Sequence, residues 1–181
     1  MREQQRIMSM WETDLLYHQK HFSQEYLSTE LSDKGLNNES YTLSMKQHML
    51  VLKGELEALS AIHDNRSLNQ FEYRAAERTL QILIEACIGI AKHWNYGLSN
   101  IAPTDACTAF ERLTMLGEDI SNVKWRHIIG MRNALVHDYL NIDPLIVRTV
   151  IERKDYIPLL EFANQGLNKL EYLAKNNNKK D

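Results

Sequence analysis

The chain has 181 residues, 44% of them hydrophobic and 25% charged, with a net charge of −3. That is enough apolar material for one core, and too little positive charge to hold nucleic acid by bulk attraction. Seven glycines and three prolines are about half the usual share, which argues against sandwiches, barrels and Gly-rich nucleotide loops and favours long helices.

Near the N-terminus Ile7, Trp11, Leu15, Phe22 and Tyr26 give a loose helical stripe. This stretch has no apolar signal core, so a cytoplasmic protein is expected. His18, His21 and Glu25 have loosely metal-like spacing, but no metal site is expected. The polar run SDKGLNNES, Ser32 to Ser40, predicts a turn or linker. Residues 1–40 are therefore expected to be a helical extension with its linker, and 41–175 the main domain.

Met45, Met49, Leu52, Leu56 and Leu59 recur three and four apart and predict a helix from about Tyr41 to Ile62. After the loop HDNRSLN a long helix is expected from about Gln70 to Asn95. Thr104 is the expected N-cap of a short helix that ends before Gly117. Another helix is expected from about Asp119 to Tyr139. Asp143-Pro144 is an N-cap followed by Pro at the first helical position, and opens a last helix expected to run to about Ala174. The residues 176–181 form a polar tail. The fold class is thus all-α, with about five core helices and an N-terminal extension.

From Thr79 to Ala91 the second of these helices is apolar nearly all round, and so must be enclosed on most sides. In a chain of this size that leads to the expectation of a central helix that also touches a second subunit. Even so, the longest apolar run, Ala86 to Ala91, is six residues, against the roughly 18 of a membrane span. Glu85 interrupts the apolar segment and needs a cationic or hydrogen-bonding partner. Cys87 and Cys107 make neither a disulfide framework nor a metal cluster and read as small core residues. Trp94 and Tyr96 read as core or loop anchors rather than base-stacking groups.

The stretch KWRHIIGMRNALVHDYLNI, Lys124 to Ile142, carries the chemistry. On a helix Trp125, Ile128, Ile129, Arg132, Val136 and Tyr139 share one side. Arg132 therefore lies in an apolar stripe and needs an anion, for which Glu85 and a substrate phosphate are the alternatives. A second face holds Arg126, Gly130, Asn133 and His137. Mid-helix Gly130 is explained if another backbone approaches closely. Lys124, Arg126 and Lys92 are either a phosphate patch or ordinary solvated charges. Histidine moves protons near neutral pH, and arginine clamps a phosphate and stabilises charge developing on it. On RNA the 2′-hydroxyl serves as nucleophile, so this chemistry asks for no metal or cofactor. One histidine cannot be both acid and base, and a two-fold dimer would supply the second.

The string Arg132-Asn133-Ala134-Leu135-Val136-His137-Asp138-Tyr139 resembles the motif of HEPN-domain proteins, and its tyrosine two residues after the histidine resembles the HepT branch, the toxins of MntA–HepT toxin–antitoxin systems. LNID after the motif, FERL at Phe110 to Leu113, and ERTLQILIEACIGIAKH at Glu77 to His93 resemble that branch too, over about residues 45–174. The resemblance implies an antiparallel HEPN-type bundle and a dimeric, metal-independent endoribonuclease toxin of a type VII-like system. It implies Arg132 and His137 as catalytic residues, with Asn133 and Glu85 in support. It also implies a minimal nucleotidyltransferase antitoxin, MntA-like, that attaches AMP to Tyr139. The first 40 residues have no counterpart in short members, and Gly89 stands where relatives often carry an acid. Competing with the toxin are a non-catalytic HEPN subunit that binds nucleotide beside a nucleotidyltransferase, and a plain helical interaction protein. The intact Arg-Asn-x3-His-x-Tyr string favours the first.

Overall fold

A computed structural model describes residues 36–137 and 143–177. The expected N-terminal stripe, His18, His21, Glu25, Tyr139 and residues 178–181 lie outside the described residues. Among the described residues there are six helices and no strand, as the composition implied.

The first helix, α1 (Leu36–Asn65), buries Met45, Met49, Leu52, Leu56 and Leu59, the stripe read from their spacing. It begins inside the expected linker and takes in its second half. α2 (Gln70–Ser99) starts where expected because Asn69 and Glu72 form a capping box. Asn69 Oδ1 accepts from the N–H groups of Phe71 at 2.9 Å and Glu72 at 3.0 Å, and Glu72 accepts from the Asn69 N–H at 2.8 Å. Arg66 clamps the same carboxylate at 2.6 and 2.7 Å. These bonds hold the Glu72 carboxyl well below its usual range, at about 2. α2 ends a turn later than expected, at Asn100, which adopts the left-handed conformation with φ 54°.

α3 (Ala106–Met115) is capped by Asp105, not by Thr104. Asp105 accepts from the Thr108 N–H at 2.9 Å and from its hydroxyl at 2.6 Å. A carboxylate is the stronger acceptor, and it sits at the position from which it reaches the third helical N–H. α4 (Trp125–His137) starts later than expected because Asp119 accepts from the N–H of Ser121 at 3.2 Å and from its hydroxyl at 2.7 Å, which diverts the chain into a turn.

The expected last helix is two helices, α5 (Pro144–Glu152) and α6 (Ile157–Asn177). Lys154 between them has φ 56°, and Pro158 in the first turn of α6 has no N–H to continue a helix from α5. The aspartate-proline start holds: Asp143 accepts from the Leu145 N–H at 2.9 Å.

α2 is the central helix, packed by α3, α4, α5 and α6. Phe110 of α3 and Trp125 of α4 stack at 3.8 Å. Phe162 of α6 meets the Trp125 ring edge-on at 4.4 Å and lies 5.9 Å from Trp94. Trp94 is thus core. Asn95, fully buried, ties α3 to α2 by donating to the carbonyls of Ala91 and Ala109, each at 2.8 Å. Gly166 lets α6 approach closely, for a Cβ there would stand 2.5 Å from Ile90 Cγ2.

The enclosure expected of α2 is supplied largely by its own chain. Leu80, Leu83, Ile84, Ala86, Cys87, Ile88, Ile90 and Ala91 are all buried within the single chain. The surrounding helices enclose the apolar segment from several sides, so its composition does not call for a second subunit.

Candidate active site

α4 runs antiparallel to α2. Its first residue, Trp125, joins the aromatic cluster near Trp94, and two turns on Arg132 meets Glu85. The helical periodicity that put Arg132 in an apolar stripe is observed: Trp125 and Ile129 are buried, and Ile128, Arg132 and Val136 are half-buried. Of the two anions open to Arg132, the structure supplies Glu85. Its Nε donates to Glu85 Oε1, and Nη2 pairs with the same oxygen.

Arg132 Nη1 donates to Asn133 Oδ1 at 3.1 Å. Of the five guanidinium N–H groups, the Nε side is turned to Glu85 and one Nη1 proton to Asn133. The outer edge of the Nη1–Nη2 fork keeps donors for a further anion. The Arg132 side chain is 22% exposed and that of Glu85 36%, so the pair lies at the rim of the α2–α4 seam. An oxyanion can reach it from solvent.

Asn133, Gly130 and Arg126 form an exposed face. A Cβ at Gly130 would meet nothing within 4 Å, so among the described residues no backbone approaches it. His137 is the last residue of α4; its backbone is described and its side chain is not. Because α4 runs antiparallel to α2, its C-terminal end leads from Glu85 toward Gln81 and Arg78.

The other candidates are accounted for structurally. Arg126 pairs with Glu111 at 2.7 Å, and Lys92 donates to the Thr104 carbonyl at 3.2 Å, so with exposed Lys124 they do not converge on one phosphate. Cys87 is buried and donates to the Leu159 carbonyl at 3.5 Å; burial pushes its thiol pKa up. Among the described residues no three His, Cys, Asp or Glu side chains cluster as metal ligands, and no helix is long and apolar enough to cross a membrane.

Two features escaped the sequence reading. His93 stacks on Tyr41 at 3.9 Å, and burial lowers its pKa to about 4. Gly89 has the Tyr41 hydroxyl 3.5 Å from where a Cβ would stand. A Cβ there would be in ordinary van der Waals contact with the hydroxyl, so only a longer side chain would press on this tyrosine. The second feature is the outward line of α2, Phe71, Arg74, Arg78 and Glu85, whose spacing of three, four and seven was legible in the sequence.

A half-buried arginine paired with a carboxylate, on a helix that also carries His137 and within a helical bundle, fits a HEPN-type domain. The profile of the ribonuclease HepT-like family matches residues 52–165, more than half of the chain, and the chain belongs to that family. No curated protein and no solved structure matches it significantly.

Proposed function

We propose that the protein is the ribonuclease toxin of a toxin–antitoxin pair and cleaves RNA without a metal. The Arg132–Glu85 pair carries this reading. It fixes a guanidinium at the solvent edge of the seam, on the helix that also brings His137, in a chain of the HepT-like family. In the proposed reaction the 2′-hydroxyl attacks the adjacent phosphate. The bond to the 5′-oxygen breaks, leaving a 2′,3′-cyclic phosphate and a 5′-hydroxyl. His137 carries the proton, and Arg132 stabilises the charge that builds on the phosphoryl oxygens. Glu85 and Asn133 keep the guanidinium plane in place and so act as positioning residues.

The chain supplies one motif histidine. A homodimer that brings two α4 helices together forms a composite site with both an acid and a base. The open space at Gly130 supports such an approach. Residues 41–175 form the nuclease domain, and residues 1–40 an appended extension.

Control falls on Tyr139, two residues beyond His137. A cognate MntA-like nucleotidyltransferase attaches AMP to its hydroxyl. The added phosphodiester is an anion for the Arg132 site, and the nucleoside obstructs RNA. The experiment is expression with and without that enzyme, followed by intact-mass measurement. Expression alone arrests growth. Co-expression relieves the arrest and adds one or more AMP masses, which Tyr139→Phe abolishes. An unchanged mass gain in Tyr139→Phe overturns the assignment of the control site; harmless expression of the chain alone overturns the toxin reading.

A further inference from the structure

With Glu85 as reference and 3.6 residues per turn, Phe71, Arg74 and Arg78 all fall within about 40° of one line along α2. All three are exposed, Phe71 to 82%. At 1.5 Å per residue Arg78 stands about 10 Å from Glu85 along the helix, Arg74 about 16 Å and Phe71 about 21 Å. The line therefore runs from the helix start to the Arg132–Glu85 pair, on the side toward which the His137 end of α4 points.

The charges along it are unbalanced. Among the described residues neither Arg74 nor Arg78 pairs with a carboxylate; Arg78 donates only to Gln81, at 3.1 Å. Of the acids of α2, Glu72 is held by Arg66 and Glu85 by Arg132, and no ion pair joins Glu77 to either arginine of the line among the described residues. Two guanidinium groups without a carboxylate partner, beside an exposed aromatic ring, suit a strand of phosphates bearing unstacked bases. They suit a second copy of the same face poorly, because it would bring arginines against arginines.

We propose that this line of α2 is the path by which single-stranded RNA reaches the cleavage site, with Arg74 and Arg78 holding successive phosphates and Phe71 stacking a base. The proposal rests on the ribonuclease reading and adds where the rest of the substrate lies. A protein with net charge −3 acquires RNA affinity in this way from a local track.

The test uses the full chain with His137→Ala, so that RNA stays intact, and labelled single-stranded RNAs of about 4 and about 16 nucleotides. Binding is titrated across salt concentrations. Arg74→Gln with Arg78→Gln weakens binding of the long RNA about ten-fold at moderate salt, and flattens the log affinity against log salt slope by about 1.4, two contacts at roughly 0.7 each. The short RNA loses less. Phe71→Ala weakens long-RNA binding about five-fold with the slope unchanged. In the otherwise native chain the arginine substitutions raise KM for long RNA much more than they lower kcat. Circular dichroism and light scattering accompany each variant. Unaltered affinity and slope in the double variant overturn the track while leaving the ribonuclease reading standing. A changed oligomeric state with an unaltered slope also overturns it, and makes this face a protein interface. No RNA binding by the parent chain counts against both readings.

Discussion

Two glycines of this bundle respond oppositely to the same substitution. At Gly166 of α6 an added Cβ would stand 2.5 Å from Ile90 Cγ2 and 3.1 Å from Trp94 Cε3. Ile90 and Trp94 are fully buried. A β-branched methyl and an indole ring in a packed core yield only by moving the backbone, which costs about 3 kcal/mol at the upper end of overpacking. Replacing a mid-helix glycine by alanine returns about 1 kcal/mol, so Gly166→Ala destabilises by about 2 kcal/mol. For a chain of this length that lowers Tm by roughly 4–8 °C. At Gly130 of α4 the Cβ meets nothing within 4 Å, and only the propensity gain remains. Gly130→Ala thus stabilises the isolated chain by up to about 1 kcal/mol, or roughly 2–4 °C. If a second α4 or an RNA backbone sits against Gly130, the same methyl lowers cleavage while raising Tm. The assay is thermal unfolding by circular dichroism at several protein concentrations, beside RNA cleavage. A Gly166→Ala protein as stable as the parent refutes the close α2–α6 approach. A Gly130→Ala protein with full cleavage activity refutes the crowded role of that face.

Burial that lowers the His93 pKa to about 4 from its usual 6.5 means that the unfolded chain takes up a proton which the folded chain refuses. Stability is therefore full above about pH 6.5 and falls as pH drops toward 4, by about 3 kcal/mol in all; His93→Phe flattens a Tm profile measured across this window, and an unchanged profile refutes the assignment. Glu85→Ala removes the carboxylate that sets Arg132 and lowers kcat, with a stability loss held to about 1 kcal/mol by the pair's exposure. Glu85→Gln keeps an acceptor for the Arg132 Nε–H and restores much of kcat; equal losses in the two variants speak against a positioning role.

The periodic parts of this chain were legible because each helix buries a stripe that hydropathy spacing reveals. The stripe from Met45 to Leu59 and the apolar face of α4 follow directly from it. What spacing did not reveal was competition at helix ends. Asp119 has side-chain bonds to Ser121 that outcompete an earlier start of α4. Pro158, in the first turn of α6, is a break signal that the sequence carries. The Arg132–Glu85 pair was one of two anion choices for Arg132, and deciding between them needed the antiparallel placement of α4 on α2. The subunit contact expected of α2 was inferred from composition alone, and an all-round apolar helix reports enclosure but not by which chain.

In the proposed function the motif on α4 cleaves RNA. The most direct measurement is the cleavage of a defined single-stranded RNA by the purified chain, its His137→Ala and Arg132→Ala variants, and the chain with a metal chelator. The parent is expected to cleave it with cyclic-phosphate ends, unaffected by the chelator. The rate is expected to fall about 10²–10⁴-fold in the His137→Ala variant, with a comparable loss in Arg132→Ala and helical content retained in both. Cleavage by His137→Ala at the parent rate, or its disappearance with the chelator, would contradict it.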